Sequence, residues 1–415
     1  MSRPRELALL LLAAALARGI VLWLGLTVFW NTPELSHAVQ DIRTWKPFFT
    51  SAQAGLVPYV DFSKEYPVGA GLFYWALSRW VSAEDLQQTV LLHALVMGAV
   101  DLVNAALAYA ILRRLAPRRA LLLSLLLSLN LTILALSPLR FESLLTAFVL
   151  LGYGAHLRRR PMTATFFWSI GCWLKWVPVL FIAAQEWKAG WSERRRWRWV
   201  RALLIFLAVA ALMNGWFLLE AWRRHGSLRF FLAPYLFHLE RPLYWDTLLG
   251  VGQLWLGRLA WEKYASFWTL PLVALALVVR PSLRFEYRAV LLCVAAILVN
   301  RIYSAQFHLW FYPFLFFGLA VEQAAGRFRA ILATWGALDI LNLLVFPFSF
   351  AACLGEIGRF EPYAAASRGG PWTVIFSAAI VLRSLALVLL ASLLLAEPRT
   401  GIANGRPAMA SSRSR

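Results

Sequence analysis

The chain has 415 residues, of which 60% are apolar and only 15% are charged. Soluble domains are about 45–50% apolar and about 25% charged, so this composition excludes a soluble enzyme and a disordered chain. The 41 Lys and Arg residues exceed the 21 Asp and Glu residues and give a net charge of +20. They stand in short clusters between apolar runs, which is typical of cytoplasmic loops that face anionic lipid and not of a nucleic-acid-binding domain.

The apolar runs predict an all-α polytopic integral membrane protein with about 10–12 membrane segments. The first span is predicted at residues 7–29. A large first outer loop follows at about 30–87, with a re-entrant or interfacial helix near 66–81. The remaining full spans are predicted at 88–112, 120–137, 143–157, 202–219, 265–279, 289–299, 307–325, 330–350 and 372–395.

Residues 161–186 are open to two interpretations. A single crossing would place the densest basic cluster, at 188–201, outside the membrane. Two short helices that turn near 173–178 keep that cluster on the same side as the other Lys and Arg residues. Because the Lys and Arg bias of short loops is a strong topology signal, we predict the hairpin.

The same charge bias places both termini in the cytoplasm. The first outer loop and a second large loop at about 220–263 then face outwards. Residues 1–396 form one membrane domain, since nothing in the sequence indicates a separate soluble domain. The tail at 397–415 is rich in Gly, Ser and Arg, and we predict that it is disordered and cytoplasmic.

Four charged residues fall near the middle of predicted spans: Arg18, Asp101, Asp339 and Arg383. An uncompensated charge at the bilayer centre costs at least ~2.5–3.5 kcal/mol, so each of them needs a partner. We therefore expect the ion pairs Arg18–Asp101 and Asp339–Arg383 between consecutive helices. An asparagine stands three residues after each aspartate and is expected to complete the hydrogen bonding.

Sequence motifs for nucleotide or metal chemistry are missing. The chain has no P-loop and no HExxH, and its six histidines are scattered singly. The three cysteines form no CxxC pair, so neither a disulfide framework nor a zinc site is predicted. An enzyme with this sequence therefore needs a substrate that carries its own activation energy, at or within the membrane.

The first outer loop holds the densest polar chemistry of the chain. Residues 41–79 contain three carboxylates, four basic residues and several aromatic rings, and they follow soon after the first span. Its motif reads Asp41-Ile-Arg-Thr-Trp45, then Gly55-Leu-Val-Pro58-Tyr59-Val-Asp61-Phe62-Ser-Lys64-Glu65-Tyr66-Pro67. Without a further signal, this pattern fits equally well an ordinary solvated loop in which Pro and Gly make turns.

This motif resembles the first outer loop of the GT-C glycosyltransferases, in particular the bacterial polyprenyl-phosphate-mannose-dependent mannosyltransferases. A fainter likeness joins it to the catalytic subunit of the GPI mannosyltransferase. Three later segments resemble family motifs in the same order, within residues 7–325: Leu139-Arg140-Phe141-Glu142, Lys175-Trp-Val-Pro178 and Asn300-Arg301-Ile-Tyr303-Ser304-Ala-Gln306-Phe-His308-Leu-Trp310. The chain departs from the family in having Glu-Tyr-Pro-Val in place of Glu-Tyr-Pro-Pro, and in having Trp45 where Tyr is common.

The resemblance implies a GT-C-like helical bundle in a bacterial-type inner membrane. Such an enzyme transfers a sugar, here mannose, from a polyprenyl-phosphate donor to a hydroxyl of a glycan or glycolipid on the outer face. It makes Asp41 the general base, with Asp61 and Glu65 as further candidates for base, acceptor binding or metal binding. The sequence indicates no particular cofactor, and a divalent metal stays open. The alternatives are that Asp41 caps a helix and that Asp61 and Glu65 are turn carboxylates beside Lys64.

Four basic residues of the resembling segments are expected to converge on the donor phosphate: Lys175, Arg301, Arg140 and His308. Lys175 is the strongest of them, because a lone lysine in an apolar hairpin is costly and charges within membranes are usually functional. Its alternative is snorkelling to the interface. The alternative for His308 is a core histidine whose hydrogen bonds are satisfied.

Two other functions compete with the enzyme. A lipid-linked-sugar flippase or transporter would line a path through the bilayer with charge and show repeated halves, and no repeat is visible. A non-catalytic assembly subunit would not need Asp41. The partners expected for the enzyme are the polyprenyl-phosphate sugar, the glycan or glycolipid acceptor and membrane lipids, with no nucleic acid.

Overall fold

A computed structural model of the chain describes residues 2–29, 40–187, 193–241, 243–258, 272–273, 275–276 and 283–396. Within these residues the secondary structure is α-helical and contains no β-strand, which confirms the predicted all-α class. The predicted disordered tail at 397–415 and nearly all of the predicted span at 265–279 lie outside the described residues.

The helices are numbered here in chain order. They are α1 Arg3–Leu24, α2 Gln40–Thr44, α3 Lys46–Gln53, α4 Val68–Leu77, α5 Leu86–Leu115, α6 Ala120–Ser128, α7 Leu131–Leu136, α8 Glu142–Leu157, α9 Pro161–Cys172, α10 Val179–Glu186, α11 Glu193–His225, α12 Arg229–Glu240, α13 Leu248–Leu256, α14 Phe285–Leu298, α15 Tyr312–Val321, α16 Ala325–Leu343, α17 Phe350–Ile357, α18 Ala364–Arg368 and α19 Pro371–Leu395. Short 3-10 turns at Ser137–Leu139 and Ala305–Trp310 precede α8 and α15. A π-helical turn at Leu344–Ser349 joins α16 to α17.

Several helical stretches are long and apolar enough to cross a membrane. Among the described residues there are five: Arg3–Val28, Leu86–Leu115, Arg196–His225, Ala325–Ile357 and Pro371–Leu395. The pair α6 and α7, bent by 40°, makes a sixth when it is counted as one span. Shorter apolar helices lie at Val68–Leu77, Glu142–Leu157 and Ala305–Val321. The architecture is that of an all-α membrane protein.

The outward faces of the long helices carry large apolar side chains. On α1, Leu12, Leu16, Ile20 and Trp23 are all more than half exposed. A water-soluble protein rarely leaves such a contiguous apolar surface uncovered, whereas lipid solvates it without cost.

Residues 161–186 form the predicted helical hairpin, with the turn at Trp173–Pro178. The Gln185 amide near the end of α10 donates to the carbonyl of Pro161 at the start of α9, over 3.2 Å. It also lies 3.3 Å from the Thr165 hydroxyl. The two short helices are therefore antiparallel, and the chain returns to the side from which it came.

The first outer loop is packed around an aromatic core. The Trp45 ring is 1% exposed and stacks on Tyr74, with ring centroids 3.7 Å apart. The Tyr59 hydroxyl donates to the carbonyls of Tyr66 and Pro67, which fixes the segment that leads into α4. Gly71 is required here, because a Cβ atom at this position would lie 2.3 Å from the Tyr59 ring. The predicted short helix near 66–81 is confirmed as α4.

The predicted Arg18–Asp101 ion pair is confirmed. Arg18 Nε on α1 lies 3.2 Å from Asp101 Oδ2 on α5, and both residues are buried. The Ser137 hydroxyl donates to the same carboxylate. Asn104 does not complete this pair as expected, because its amide donates to the carbonyl of Ser143 over 2.7 Å.

The predicted Asp339–Arg383 pair is wrong. The Asp339 carboxylate accepts from the backbone N–H groups of Leu131 and Thr132, over 2.7 and 3.1 Å, at the start of α7. The first N–H groups of a helix have no partner within the helix and favour a negative charge, so they compensate Asp339 in place of an arginine. Arg383 donates instead to Asn342 Oδ1 over 3.1 Å, and the expected asparagine is thus its partner.

Candidate active site

A cavity of about 590 Å³ lies among the hairpin turn, α12 and the 3-10 turn at Ala305–Trp310. This volume is typical of sites for small molecules and cofactors. Segments that are far apart in sequence form its wall. They include Tyr66 and Pro67, Arg140, Lys175–Val177, Val179 and Leu180, His238, Arg241, Tyr244–Asp246, Asn300, Ile302, Ser304–Phe307, Trp310 and, from the α16–α17 region, Val345, Phe346, Phe350 and Leu354.

The polar part of the wall is basic. Its basic side chains are Arg140, Lys175 and Arg241, and Asp246 is the one carboxylate that lines the cavity in the part of the chain that the structure describes. Burial lowers the pKa of His238 below its ordinary value, although the Glu65 carbonyl opposes this by accepting a hydrogen bond from its ring. The excess of positive charge favours an anionic ligand.

Lys175 is held in place by a carboxylate and four aromatic rings. Its ammonium pairs with the carboxylate of Glu142, a residue that is 1% exposed. The same ammonium lies 5.3–5.8 Å from four ring centroids, those of Tyr66, Phe141, Phe307 and Trp310. Cation–π contacts of this kind stabilise a desolvated ammonium. Lys175 therefore lines the cavity with its ammonium held among protein side chains.

Arg140 lines the same cavity as Lys175. These two are among the four basic residues that were expected to converge on one site. It is 6% exposed, and its guanidinium lies 5.8 Å from the centroid of the Phe346 ring. Phe346 belongs to the apolar part of the wall, beside Phe350 at 5.4 Å between ring centroids. Basic and apolar surfaces thus meet at Arg140, which suits a ligand with an anionic head and an apolar chain.

Arg301 and His308 lie behind the cavity wall. The Arg301 guanidinium donates to the carbonyl of Arg241 over 2.8 Å, so it supports a residue that lines the cavity. His308 is fully buried, and its two ring nitrogens lie 2.5 Å from the Tyr303 hydroxyl and 3.0 Å from the Tyr312 hydroxyl. His308 is therefore a core histidine with satisfied hydrogen bonds, the alternative given from the sequence. The 3-10 turn directs its neighbours Phe307 and Trp310 to the cavity instead.

Asp61 joins the first outer loop to the end of α11 and does not line the cavity. Its carboxylate accepts from the Val57 amide at 2.8 Å and lies 3.2 Å from Arg224 and 3.0 Å from His225. Burial raises the pKa of Asp61, but the Val57 amide, His225 and Arg224 outweigh it and bring the pKa below its ordinary value. This carboxylate stays ionised and is engaged in holding the loop.

Glu65 lies on the other side of the loop segment that carries Tyr66. Its carboxylate is 3.1 Å from the Lys64 ammonium, which is the alternative of a turn carboxylate beside Lys64. Glu65 also lines a separate pocket, together with Phe62 and Phe237. Its backbone carbonyl accepts from the His238 ring over 2.8 Å. Glu65 therefore helps to fix the cavity wall through its main chain.

Asp41 lies near the start of α2, and its side chain is outside the described part of the structure. Trp45, one turn further along the chain, stacks on Tyr66 with ring centroids 5.6 Å apart. Tyr66 in turn lines the cavity. Among the residues that the structure describes, no group of three or more His, Cys, Asp or Glu residues is placed to hold a metal ion.

Two polar groups of the cavity wall belong to no sequence motif. Asp246 and His238 stand alone in a polar segment with no motif around them, so the sequence carries no signal for either. Arg241 closes a basic stretch, and this charge was a detectable but unspecific signal.

Comparison of the chain with models of known protein families, with curated proteins and with solved structures finds no match. The resemblance to the GT-C glycosyltransferases therefore rests on the four sequence motifs.

Proposed function

We propose that this protein is a membrane glycosyltransferase of the GT-C type. It moves a sugar, mannose by the resemblance, from a polyprenyl-phosphate donor to a hydroxyl of a glycan or glycolipid. The proposed reaction takes place on the outer face of a bacterial-type inner membrane, with both chain termini in the cytoplasm. We expect its helical bundle to have about 10–12 membrane segments.

One observation carries the proposal: all four sequence segments that resemble the family contribute to the wall of a single cavity. Tyr66 comes from the first outer loop, Arg140 from the second segment and Lys175 from the hairpin turn. The fourth segment contributes Asn300 and Trp310. The convergence of segments that lie as far apart in the sequence as Tyr66 and Trp310 supports a shared ligand.

The composition of the wall matches the proposed donor. Lys175, Arg140 and Arg241 offer charge-assisted hydrogen bonds to a phosphate, both in the bound donor and as negative charge develops on the leaving group. Aromatic side chains such as Tyr66 and Trp310 provide faces for a sugar ring. The apolar side chains around Phe350 provide a surface for the polyprenyl chain.

The base of the proposed reaction is Asp41. Sugar transfer to a hydroxyl needs one group that accepts the hydroxyl proton, and a carboxylate beside the donor serves this purpose. The link from α2 through Trp45 and Tyr66 to the cavity supports Asp41 in this role. Asp61 and Glu65 are engaged in Arg–His and Lys pairs, which favours Asp41 among the three.

The proposal is tested by offering synthetic polyprenyl-phosphate sugars, each separately, to the purified protein in lipid nanodiscs with membrane glycolipids as acceptors. We expect radiolabelled sugar to pass from one donor to acceptor, with release of polyprenyl phosphate. Translocation of a lipid-linked sugar without transfer would identify a flippase. Failure to bind any polyprenyl phosphate would overturn the proposal.

A further inference from the structure

The Asp246 carboxylate occupies an unexpected place in a basic cavity. It lies between α12 and α13, is 7% exposed and lines the cavity together with Arg140, Lys175 and Arg241. No other carboxylate lines the cavity within the described ranges of the chain. A negative charge here weakens phosphate binding, so its presence calls for a different ligand group.

The residue is held firmly by its neighbours. Asp246 Oδ1 accepts from the backbone N–H of Tyr303 over 3.0 Å, and the Asp246 carbonyl accepts from Arg383 over 2.6 Å. The next residue, Thr247, begins α13 by accepting from the Gly250 amide over 2.9 Å. The side chain thus has a fixed position on the wall, as a group that recognises a ligand needs.

The hydrogen bonds that the protein gives to this carboxylate come from the main chain. The Tyr303 N–H and the N–H of Asp246 itself donate to it, and no side chain among the residues that the structure describes does so. A carboxylate accepts hydrogen bonds and cannot donate them when it is ionised. A ligand group that hydrogen-bonds to this carboxylate from the cavity must therefore be a donor, and sugar hydroxyls are donors whereas a phosphate dianion is not.

We propose that Asp246 accepts hydrogen bonds from hydroxyl groups of the donor's sugar and so distinguishes a sugar-bearing polyprenyl phosphate from the bare lipid phosphate. This role rests on the proposed function. It gives the cavity two complementary parts, a basic part for the phosphate and Asp246 for the sugar. It also explains how the protein releases polyprenyl phosphate after transfer, because the product lacks the hydroxyl groups that offset the repulsion by Asp246.

The competing explanation is that Asp246 only positions the Tyr303 segment. Asp246→Asn separates the two roles, because its amide oxygen still accepts from the Tyr303 N–H while the charge is lost. Asp85→Asn is the matched control. It makes the same change at an exposed residue that caps α5 through the Gln88 amide, and Asn caps helices as well as Asp.

The experiment measures binding of polyprenyl phosphate and of its mannosyl derivative to the wild-type protein and to both variants in nanodiscs. We expect Asp246→Asn to bind the mannosyl lipid about 10–100-fold more weakly, the usual effect of losing hydrogen bonds to a charged group. Binding of bare polyprenyl phosphate should be unchanged or tighter, and Asp85→Asn should bind both lipids like the wild type.

Equal weakening for both lipids would show that Asp246 has a structural role only and would overturn the inference. Unchanged binding of both would overturn it as well. If Asp246→Asn does not fold, Asp246→Glu is tested instead, with donors that each lack one hydroxyl group of mannose. The longer side chain displaces the carboxylate, so the hydroxyl group whose loss weakens binding should differ between the wild type and Asp246→Glu. The same ranking of these donors in both proteins would overturn the inference. Wild-type protein that binds neither lipid would overturn the proposed function itself.

Discussion

Arg18 Nε on α1 lies 3.2 Å from Asp101 Oδ2 on α5, and this pair joins two long apolar helices at membrane depth. Removing one partner of a buried ion pair costs about 3–5 kcal/mol, because the other charge is left without compensation. We therefore expect Asp101→Ala to lower the free energy of unfolding by about that amount. Unfolding of the purified protein in micelles of rising SDS content measures the change.

The exposed Lys46–Glu84 pair is the matched control for this experiment. Its ammonium and carboxylate are 2.9 Å apart, but the two side chains are 50% and 81% exposed. Glu84→Ala should change the free energy of unfolding by less than about 1 kcal/mol. The double substitution Arg18→Met with Asp101→Leu should recover most of the stability. Similar losses for Asp101→Ala and Glu84→Ala would contradict the structural role of the buried pair.

The rule that charges at membrane depth need partners predicted Arg18–Asp101 correctly and Asp339–Arg383 incorrectly. The apolar run predicts one span at 120–137, whereas the chain bends at Asn130 and begins a new helix there. That bend exposes backbone N–H groups, and Asp339 binds them. The sequence shows that a charged side chain within an apolar run needs a partner. It does not show which partner Asp339 has, because that depends on a helix break that the apolar pattern does not reveal.

The Lys175–Glu142 pair gives a second prediction, on donor binding. Lys175→Met alone would leave the buried Glu142 carboxylate unpaired, so the informative variant also carries Glu142→Gln. A hydrogen bond to a charged group contributes about 1.5–3 kcal/mol, and we expect this double variant to bind polyprenyl phosphate about 10–100-fold more weakly. Lys46→Met removes an exposed lysine of the first outer loop and serves as control. Wild-type affinity in the double variant would exclude Lys175 from the phosphate site.

Asp61 makes the first outer loop sensitive to acid. Its pKa in the folded protein is lowered from the ordinary value of 3.8, so its contribution to stability is present above pH 3.8 and is lost as the pH falls through the lowered pKa. Hydrogen exchange of the segment around Val57, whose amide donates to Asp61, should accelerate beyond its intrinsic rate in that acidic range. Asp61→Ala removes the acceptor altogether and should show fast exchange already at neutral pH. Exchange that Asp61→Ala leaves unaltered would contradict this link.

The membrane orientation is tested by labelling single cysteines in intact cells. The α9–α10 hairpin returns the chain to the side of Pro161, and α11 then crosses, so Ser192 and Ser227 should lie on opposite sides. Ser227→Cys and Ser36→Cys should react with an impermeant thiol reagent, and Ser192→Cys should not. Ser36 and Ser192 are outside the described residues, and the three natural cysteines are buried and give little background. Labelling of Ser192→Cys without Ser227→Cys would reverse the predicted orientation.

The candidate site was predictable in part. The sequence motifs predict Lys175 and Arg140 at one site, and both residues line the cavity. Glu142 as the partner of Lys175, and Asp246 opposite them, depend on how distant segments pack. His308 shows the converse, since its motif suggested a ligand contact while the 3-10 turn places it between two tyrosine hydroxyls in the core.

Asp41 carries the central prediction on catalysis. Asp41→Asn keeps the size and much of the hydrogen bonding of the side chain but cannot accept the acceptor's proton. Sugar transfer should therefore fall by roughly 10²–10⁴-fold, the usual contribution of general acid–base catalysis, while binding of polyprenyl-phosphate mannose persists. Rates of transfer and donor affinities, measured on the same nanodisc preparation, separate the two effects.

The control for Asp41→Asn is the same change at the other two carboxylates of the loop. Asp61→Asn and Glu65→Gln should retain most of the transfer activity, because both carboxylates are engaged in ion pairs outside the cavity wall. An Asp41→Asn protein that is folded, binds donor and transfers sugar at near the wild-type rate would move the base to Asp61 or Glu65. If neither of those proved necessary, the first outer loop would supply no base, and a binding or transport role would replace the enzyme.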